Sequence, residues 1–93
     1  MNLHNKVTIP PQVLVNKIDD ELVILDLASN TYFGLNSVGA HIWSFLSEGK
    51  TLAETCHQML NKYAVAPNEI ERDVVNLTNE LLSKNLVQLQ QPQ

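Results

Sequence analysis

The sequence has few of the residues on which several large classes of protein depend. It has one cysteine, three glycines and six Lys plus Arg against ten Asp plus Glu, which leaves a net charge of −4. A single cysteine excludes an internal disulfide and suits a reducing compartment. The acidic excess disfavours nucleic acid and anionic membrane surfaces as partners, because phosphate binding draws its affinity from clustered Lys and Arg.

Long apolar runs and catalytic clusters are also missing. The N-terminus has no apolar run that fits a signal peptide, and no segment is long enough to span a bilayer, so we expect a cytoplasmic protein. His4, His41 and His57 lack the paired spacing of a metal site. Cys56 and His57 are adjacent on a predicted helix, where neighbouring side chains diverge. The sequence therefore predicts no catalytic residue, no metal and no cofactor.

The first half of the chain has the pattern of a small sheet. Three strand-like runs, VLVNKI, ELVILDL and TYFGL, are separated by polar turns at Asp19-Asp20 and at Ala28-Ser29-Asn30. Both alternating sets of the second run are apolar, which is typical of a middle strand covered on both faces. A meander of these strands would leave Thr31–Leu35 at one edge, with a free row of backbone donors and acceptors.

From Asn36 onward the period of the apolar residues becomes helical. Asn36-Ser37 can cap a helix, and the apolar face from Val38 to Leu46 predicts a first helix that stops near Gly49. Thr51 and Glu54 form a capping-box pattern, which predicts the start of a second helix.

The third predicted helix begins with Pro67 in its first turn and runs to about Asn85. Its apolar arc is wider than the ~100° of a simple surface helix, so we expect this helix to pack against two separate surfaces. Leu86–Leu89 favours a short final strand. The expected fold is α+β, a three-stranded antiparallel sheet followed by three helices. Its predicted division is an extended lead-in over 1–12, ending in Pro10-Pro11, a single domain over 13–90 and a frayed tail over 91–93.

Three conspicuous residues fit the core better than a site. Cys56 shares a predicted helix face with apolar side chains, and cysteine is commonly buried. Trp43 lies beside apolar neighbours and is expected to anchor the core. Gly39 is interpreted as the residue that lets the first helix approach the sheet closely.

An ordered set of short motifs covers nearly the whole chain, from about Val13 to Val87. The motifs are ILDL, YFGLN, GAHIW, GKTLAET and PNEIERDV, followed by LL and NLV. In this order they resemble the family of coenzyme PQQ synthesis protein D (PqqD). The resemblance implies a winged-helix-like RiPP recognition element, which binds the leader segment of a ribosomally made precursor peptide. In that family the leader adds as a strand to the third strand and lies against the third helix. It is then presented to a leader peptidase or other modifying enzyme.

Within this family, two segments point away from the PQQ pathway. The members of that pathway resemble LN-x-SA-x-x-IL followed by Cys-Asp-Gly, whereas this chain reads LNSVGAHIW and SEG. The GAHIW form is more similar to stand-alone recognition proteins of lasso peptide pathways and to PqqD-like proteins of unassigned clusters. The alternative within the family is a PQQ-type peptide chaperone that delivers its precursor to a radical SAM enzyme.

A physical argument leads to the same candidate site. Backbone pairing at an open edge cannot choose a partner, so specificity requires side chains beside that edge. On the third helix, Leu77 and Leu81 are expected to receive apolar leader side chains. Asp73 and Glu80 are expected to accept hydrogen bonds or pair with a basic leader residue, although Asp73 also fits a solvated position. The candidate peptide-binding residues are Thr31, Tyr32, Phe33, Gly34, Leu35, Asp73, Leu77, Glu80, Leu81 and Lys84.

Two questions stay open at the level of sequence. Tyr32 and Phe33 alternate across the edge strand, so one faces the core and the other is free to touch a ligand. The order of strands and helices also permits a winged-helix DNA-binding regulator. Its third helix would be a poor reader of DNA, because its acidic residues outnumber Arg72 and Lys84 and would be repelled by phosphates. A small enzyme has no catalytic pairing in this sequence to support it.

Overall fold

The computed structural model describes residues 2–90. The strands and helices, in chain order, are β1 (Lys6–Thr8), β2 (Val13–Ile18), β3 (Glu21–Asp26), β4 (Thr31–Leu35), α1 (Ser37–Ser47), α2 (Leu52–Lys62), α3 (Pro67–Ser83) and β5 (Gln88–Gln90). The predicted three-stranded antiparallel sheet followed by three helices is confirmed, with strand order β2-β3-β4.

Short polar turns join the three strands into a meander. Asp19 adopts a φ of 55° in the two-residue turn between β2 and β3, and Asn30 a φ of 61° between β3 and β4, and both residue types tolerate this left-handed region. The second turn is closed by Asp26, which is buried. Its carboxylate accepts the Ala28 N–H at 3.0 Å and the Ser29 hydroxyl at 2.9 Å.

The helix starts agree with the predicted caps. The Asn36 side chain accepts the N–H of Gly39 at 2.9 Å. Thr51 and Glu54 form the full capping box, with the Glu54 N–H donating to the Thr51 hydroxyl at 3.0 Å and the Thr51 N–H to the Glu54 carboxylate at 2.8 Å. Pro67 occupies the first turn of α3.

The lead-in contains a strand that the sequence did not predict. β1 pairs antiparallel with β5, so that Val7 lies opposite Leu89. Just before β1, the backbone carbonyls of Asn5 and Leu3 accept the N–H groups of Leu52 and Ala53, which are in the first turn of α2. The N-terminal segment is therefore bound to the helical layer. The division into lead-in, domain and tail stays a prediction, and its tail, 91–93, lies outside the described residues.

The core lies between the inner face of the sheet and the three helices. Its fully buried side chains include Ile24, Leu46, Met59 and Leu81. Trp43 is also buried, as predicted. A Cβ added at Gly39 would lie 3.2 Å from Leu35, which confirms that this glycine permits a close approach of α1 to β4.

The outer face of the sheet differs from the expectation that β3 would be covered on both faces. β3 is the middle strand, and Ile24 on its inner face is fully buried. On the outer face, however, Val23 and Leu25 are only half-buried, while Leu14 and Tyr32 beside them are 51% and 68% exposed. The helices pack on the inner face. The apolar residues on both faces of β3 therefore do not correspond to a second layer that covers the outer face.

Candidate functional site

The outer edge of β4 is open. Within residues 2–90 no strand pairs with this side of β4, which ends the sheet. Phe33 lies opposite Ile24, and Tyr32 lies opposite Leu25. Because directly paired residues share a face, Phe33 faces the helices and Tyr32 faces outward. The pairing of β4 with β3 therefore fixes the orientation of the two rings, which the sequence had left open.

The hydrogen-bond pattern shows which backbone groups face this edge. In antiparallel strands, successive residues direct their N–H and C=O groups to alternate sides. Leu27 donates its N–H to the Gln12 carbonyl on the β2 side at 2.9 Å, so Ile24, three residues earlier, directs its groups toward β4. Phe33 pairs with Ile24, so its own N–H and C=O groups face β3. Tyr32 and Gly34 are therefore left to present their N–H and C=O groups at the open edge.

A groove of about 440 Å³ runs between β4, α1 and α3. Apolar side chains and polar groups contribute about equally to its lining surface. The lining residues are Phe33, Gly34, Leu35, Asn36, Val38, Gly39, Ile42, Asp73, Asn76, Leu77 and Glu80. An open backbone edge and a groove of mixed apolar and polar lining thus lie side by side.

Six of the ten candidate residues line this groove together. They are Phe33, Gly34, Leu35, Asp73, Leu77 and Glu80. Thr31 is half-buried at the start of β4, Tyr32 is on the outer face, and Lys84 follows the last turn of α3. Leu81 has 0% of its surface exposed, so it supports α3 from the core and does not present a side chain to the groove. This corrects the expectation that Leu81 receives a ligand side chain.

Five lining residues were not among the candidates. Asn76 sits between Asp73 and Leu77 on α3, three residues after the first, and helical spacing could have indicated it. The others, Asn36, Val38, Gly39 and Ile42, are in or next to α1, whose apolar face was assigned to the core. Ile42 is indeed buried, so it forms the floor of the groove while belonging to the core.

The charges around the groove are segregated along α3. Asp73 and Glu80 are exposed at its rim, two helical turns apart. Lys84 lies one turn beyond Glu80, and its ammonium nitrogen is 5.7 Å from the centroid of the Phe33 ring. The rim of the groove along α3 is therefore acidic, and the basic Lys84 lies beyond its lining.

Other titratable groups lie away from this groove. Tyr63 and His41 are in hydrogen-bond contact, with 2.7 Å between the Tyr63 hydroxyl and the His41 Nδ1. Burial, helped by the charge of Glu71, raises the pKa of the Cys56 thiol, which disfavours the reactive thiolate. No group of three or more His, Cys, Asp or Glu side chains that could hold a metal ion occurs within the described part of the chain. No helix there is long and apolar enough to cross a membrane.

Comparisons with known proteins give a consistent result. The family model of coenzyme PQQ synthesis protein D (PqqD) matches residues 21–87. The chain is similar to the solved structure of TbiB1 in complex with the TbiA(beta) leader peptide. The identity is 40% over 86% of this chain and 93% of that one, with a TM-score of 0.81. It is also similar to a lasso peptide synthetase B1 complexed with the leader peptide, at 27% identity over 88% and 96% of the two chains, with a TM-score of 0.81. A search of curated proteins found no match.

Proposed function

The chain belongs to the PqqD family, and we propose that it is a RiPP recognition element that binds the leader of a precursor peptide at β4. The observation that carries this proposal is the open edge of β4 beside the groove against α3. Relatives at 40% and 27% identity were solved with leader peptides bound. The leader adds as a fourth strand to the sheet, and its inward side chains enter the groove.

The expected binding free energies indicate that tight binding of a leader requires the groove as well as the open edge. Tyr32 and Gly34 offer two N–H and two C=O groups, and four hydrogen bonds contribute roughly 2–6 kcal/mol at 0.5–1.5 each. Micromolar affinity corresponds to about 8 kcal/mol. Burial of each leucine-sized side chain adds roughly 1.5–3 kcal/mol, so inward side chains must supply the difference and also offset the freedom of motion that is lost on binding. Backbone pairing thus holds the leader, and the groove selects it.

The register of β4 indicates which leader positions enter the groove. The leader residue opposite Phe33 shares its face and points between the sheet and α3, toward Leu77. The next inward residue, two positions away, lies opposite Leu35 or Thr31. The side chains that Asp73 and Glu80 meet at the rim are polar or basic, because both of these acids are exposed.

The alternative activities have less support. A PQQ-type chaperone that serves a radical SAM enzyme is not favoured, because both similar solved structures are complexes with leader peptides and the second is a lasso peptide synthetase B1. A DNA-binding regulator would have to bring the acidic helix α3 against phosphates, which disfavours it. We therefore propose a lasso peptide-type pathway.

The role that we propose is non-catalytic and ends with delivery of the bound leader to a leader peptidase or other modifying enzyme. In support, the one cysteine, Cys56, is half-buried against the core and has a raised thiol pKa, which is unfavourable for a nucleophile. We place the activity in the cytoplasm, where a lone free thiol is stable.

The test is an unbiased selection. A displayed library of 20-residue peptides that tile the short reading frames of the source genome is sorted for binding to the protein and to its Leu77→Glu variant. We expect enrichment of one peptide from the N-terminal half of a short precursor, and only with the unmodified protein. Equal recovery of the same peptides by both proteins would contradict the proposal. The enriched peptide is called the selected peptide below.

A further inference from the structure

Gly34 has no explanation in the fold of the chain itself. It lies inside β4. Glycine weakens a strand because its backbone loses more conformational freedom on folding than that of other residues, and because it has no side chain to pack. Its φ is not positive, in contrast to that of Gly49. A Cβ built on Gly34 meets no atom within 4 Å. Neither backbone geometry nor packing within residues 2–90 therefore requires a glycine at this position.

The missing side chain does not serve the approach of the leader backbone. Side chains of a strand stand perpendicular to the sheet, whereas a pairing strand approaches in its plane. A Cβ at position 34 would occupy space above the outer face of the sheet, opposite to the groove. Gly34 thus leaves open the space of one side chain on that face, at the edge of the sheet, and this space is called the recess below.

The surroundings of this recess are apolar. Val23 is the cross-strand partner of Gly34, shares its outer face and is half-buried. Tyr32, two residues earlier on the same face, is 68% exposed. Leu25 lies opposite Tyr32 and is half-buried. An aliphatic floor and an exposed aromatic ring therefore flank the bare backbone of Gly34.

From this we propose that Gly34 is a specificity-determining residue: it opens an outer-face subsite for one large apolar, preferably aromatic, side chain of the leader. The inference rests on the proposed strand addition at β4. Gly34 presents its N–H and C=O groups at the open edge, so a leader residue lies directly opposite and shares its face. A ring on that residue leans over Gly34, shields its backbone and contacts Val23 and Tyr32.

The subsite selects a second leader side chain, independently of the groove. The inward residues are selected between Phe33 and Leu77, and the residue next to them in sequence is selected over Gly34. The leader class that fits is therefore a strand with an apolar residue facing inward and a large apolar or aromatic residue beside it facing outward. This pairing breaks the simple alternation of apolar and polar residues that a strand with one solvated face would have.

The test uses the selected peptide with every position randomised in turn. The three proteins are the unmodified chain, Gly34→Val, and Asn16→Val as a matched control that adds the same side chain to the same face on β2, away from the open edge. With the unmodified chain and the control, we expect one position to prefer aromatic over serine by roughly threefold to tenfold. Gly34→Val removes that preference at that position alone, while remaining at least as stable to urea.

The outcomes separate the inference from the function on which it rests. If the peptide binds Gly34→Val with the same preferences at every position as the unmodified chain, the subsite is wrong and leader binding stands. If no peptide is enriched by the unmodified chain, both are wrong. Should Gly34→Val fold poorly, Gly34→Ala tests the same point, because its single Cβ has free space, and an aromatic preference unchanged in that variant overturns the subsite.

Discussion

Lys84 has its ammonium nitrogen 5.7 Å from the centroid of the Phe33 ring, which lines the groove. Phe33 belongs to the open strand β4, and Lys84 follows the last turn of α3. A cation over the face of an aromatic ring is attracted by its quadrupole. This contact therefore links the strand that would accept a leader to the C-terminal end of the helix that would select it.

Replacing Lys84 by methionine should remove the charge from this contact while keeping an unbranched apolar side chain that is only one atom shorter. We expect Lys84→Met to lower the free energy of unfolding by roughly 0.5–1 kcal/mol, the magnitude of an exposed cation–π contact. Urea denaturation of this variant and of Lys62→Met, which removes an exposed charge at the end of α2, measures the difference. An equal loss of stability in both variants would show that the contact with Phe33 contributes nothing.

A charge in the groove should abolish leader binding while sparing the fold. Leu77 is half-buried on α3 and lines the groove, so Leu77→Glu places a carboxylate where an apolar leader side chain would be buried. We expect at least a tenfold loss of affinity for the selected peptide in fluorescence polarisation. Leu82→Glu is the matched control, since Leu82 is also half-buried on α3 but does not line the groove. Similar losses in both variants would remove the groove from the site.

Proline at two neighbouring positions should have opposite effects. The N–H of Gly34 faces the open edge, so Gly34→Pro removes a donor to the leader and leaves the β3–β4 ladder in place. The N–H of Phe33 faces Ile24, so Phe33→Pro breaks that ladder. We expect Gly34→Pro to lose binding while keeping most of its stability, and Phe33→Pro to lose stability itself. Circular dichroism melting and peptide titration of the two variants distinguish these results, and the reverse order would contradict the assigned edge.

The capping box of α2 predicts a pH dependence of stability. Hydrogen bonds from the Thr51 backbone and side chain, in that order, lower the pKa of the Glu54 carboxyl. A lowered pKa means that ionised Glu54 stabilises the fold above the carboxyl's ordinary pKa, and that this contribution is lost as the pH falls through the lowered value. The melting temperature should therefore be higher for the unmodified chain than for Glu54→Gln at pH 7, and the gap should close in acid. A gap independent of pH would contradict this.

Local signals were predictable from the sequence because their partners lie within a few residues. The caps at Asn36 and at Thr51 with Glu54, and the first-turn Pro67, depend only on neighbouring backbone groups. β1 was missed because three residues carry little periodicity, and its partner β5 lies some eighty positions later in the chain.

The candidate site was predictable as a region but not residue by residue. Leu77 and Leu81 are one turn apart on the same stretch of α3, yet only the packing beneath the helix leaves Leu77 half-buried and Leu81 fully buried. Similarly, alternation in a strand leaves two choices for which set of side chains faces the core. The pairing of Phe33 with Ile24 decides this choice for Tyr32 and Phe33. Such depths and orientations come from tertiary contacts, which spacing alone does not contain.

The most direct test of strand addition at β4 is amide hydrogen exchange, residue by residue, with and without the selected peptide. In the free protein the amides of Tyr32 and Gly34, which face the open edge, should exchange fast, and the Phe33 amide, which faces β3, should exchange slowly. On saturation with the peptide, we predict that Tyr32 and Gly34 become protected at least tenfold, while Phe33 changes little. Peptide binding with no added protection at Tyr32 and Gly34 would contradict the central claim.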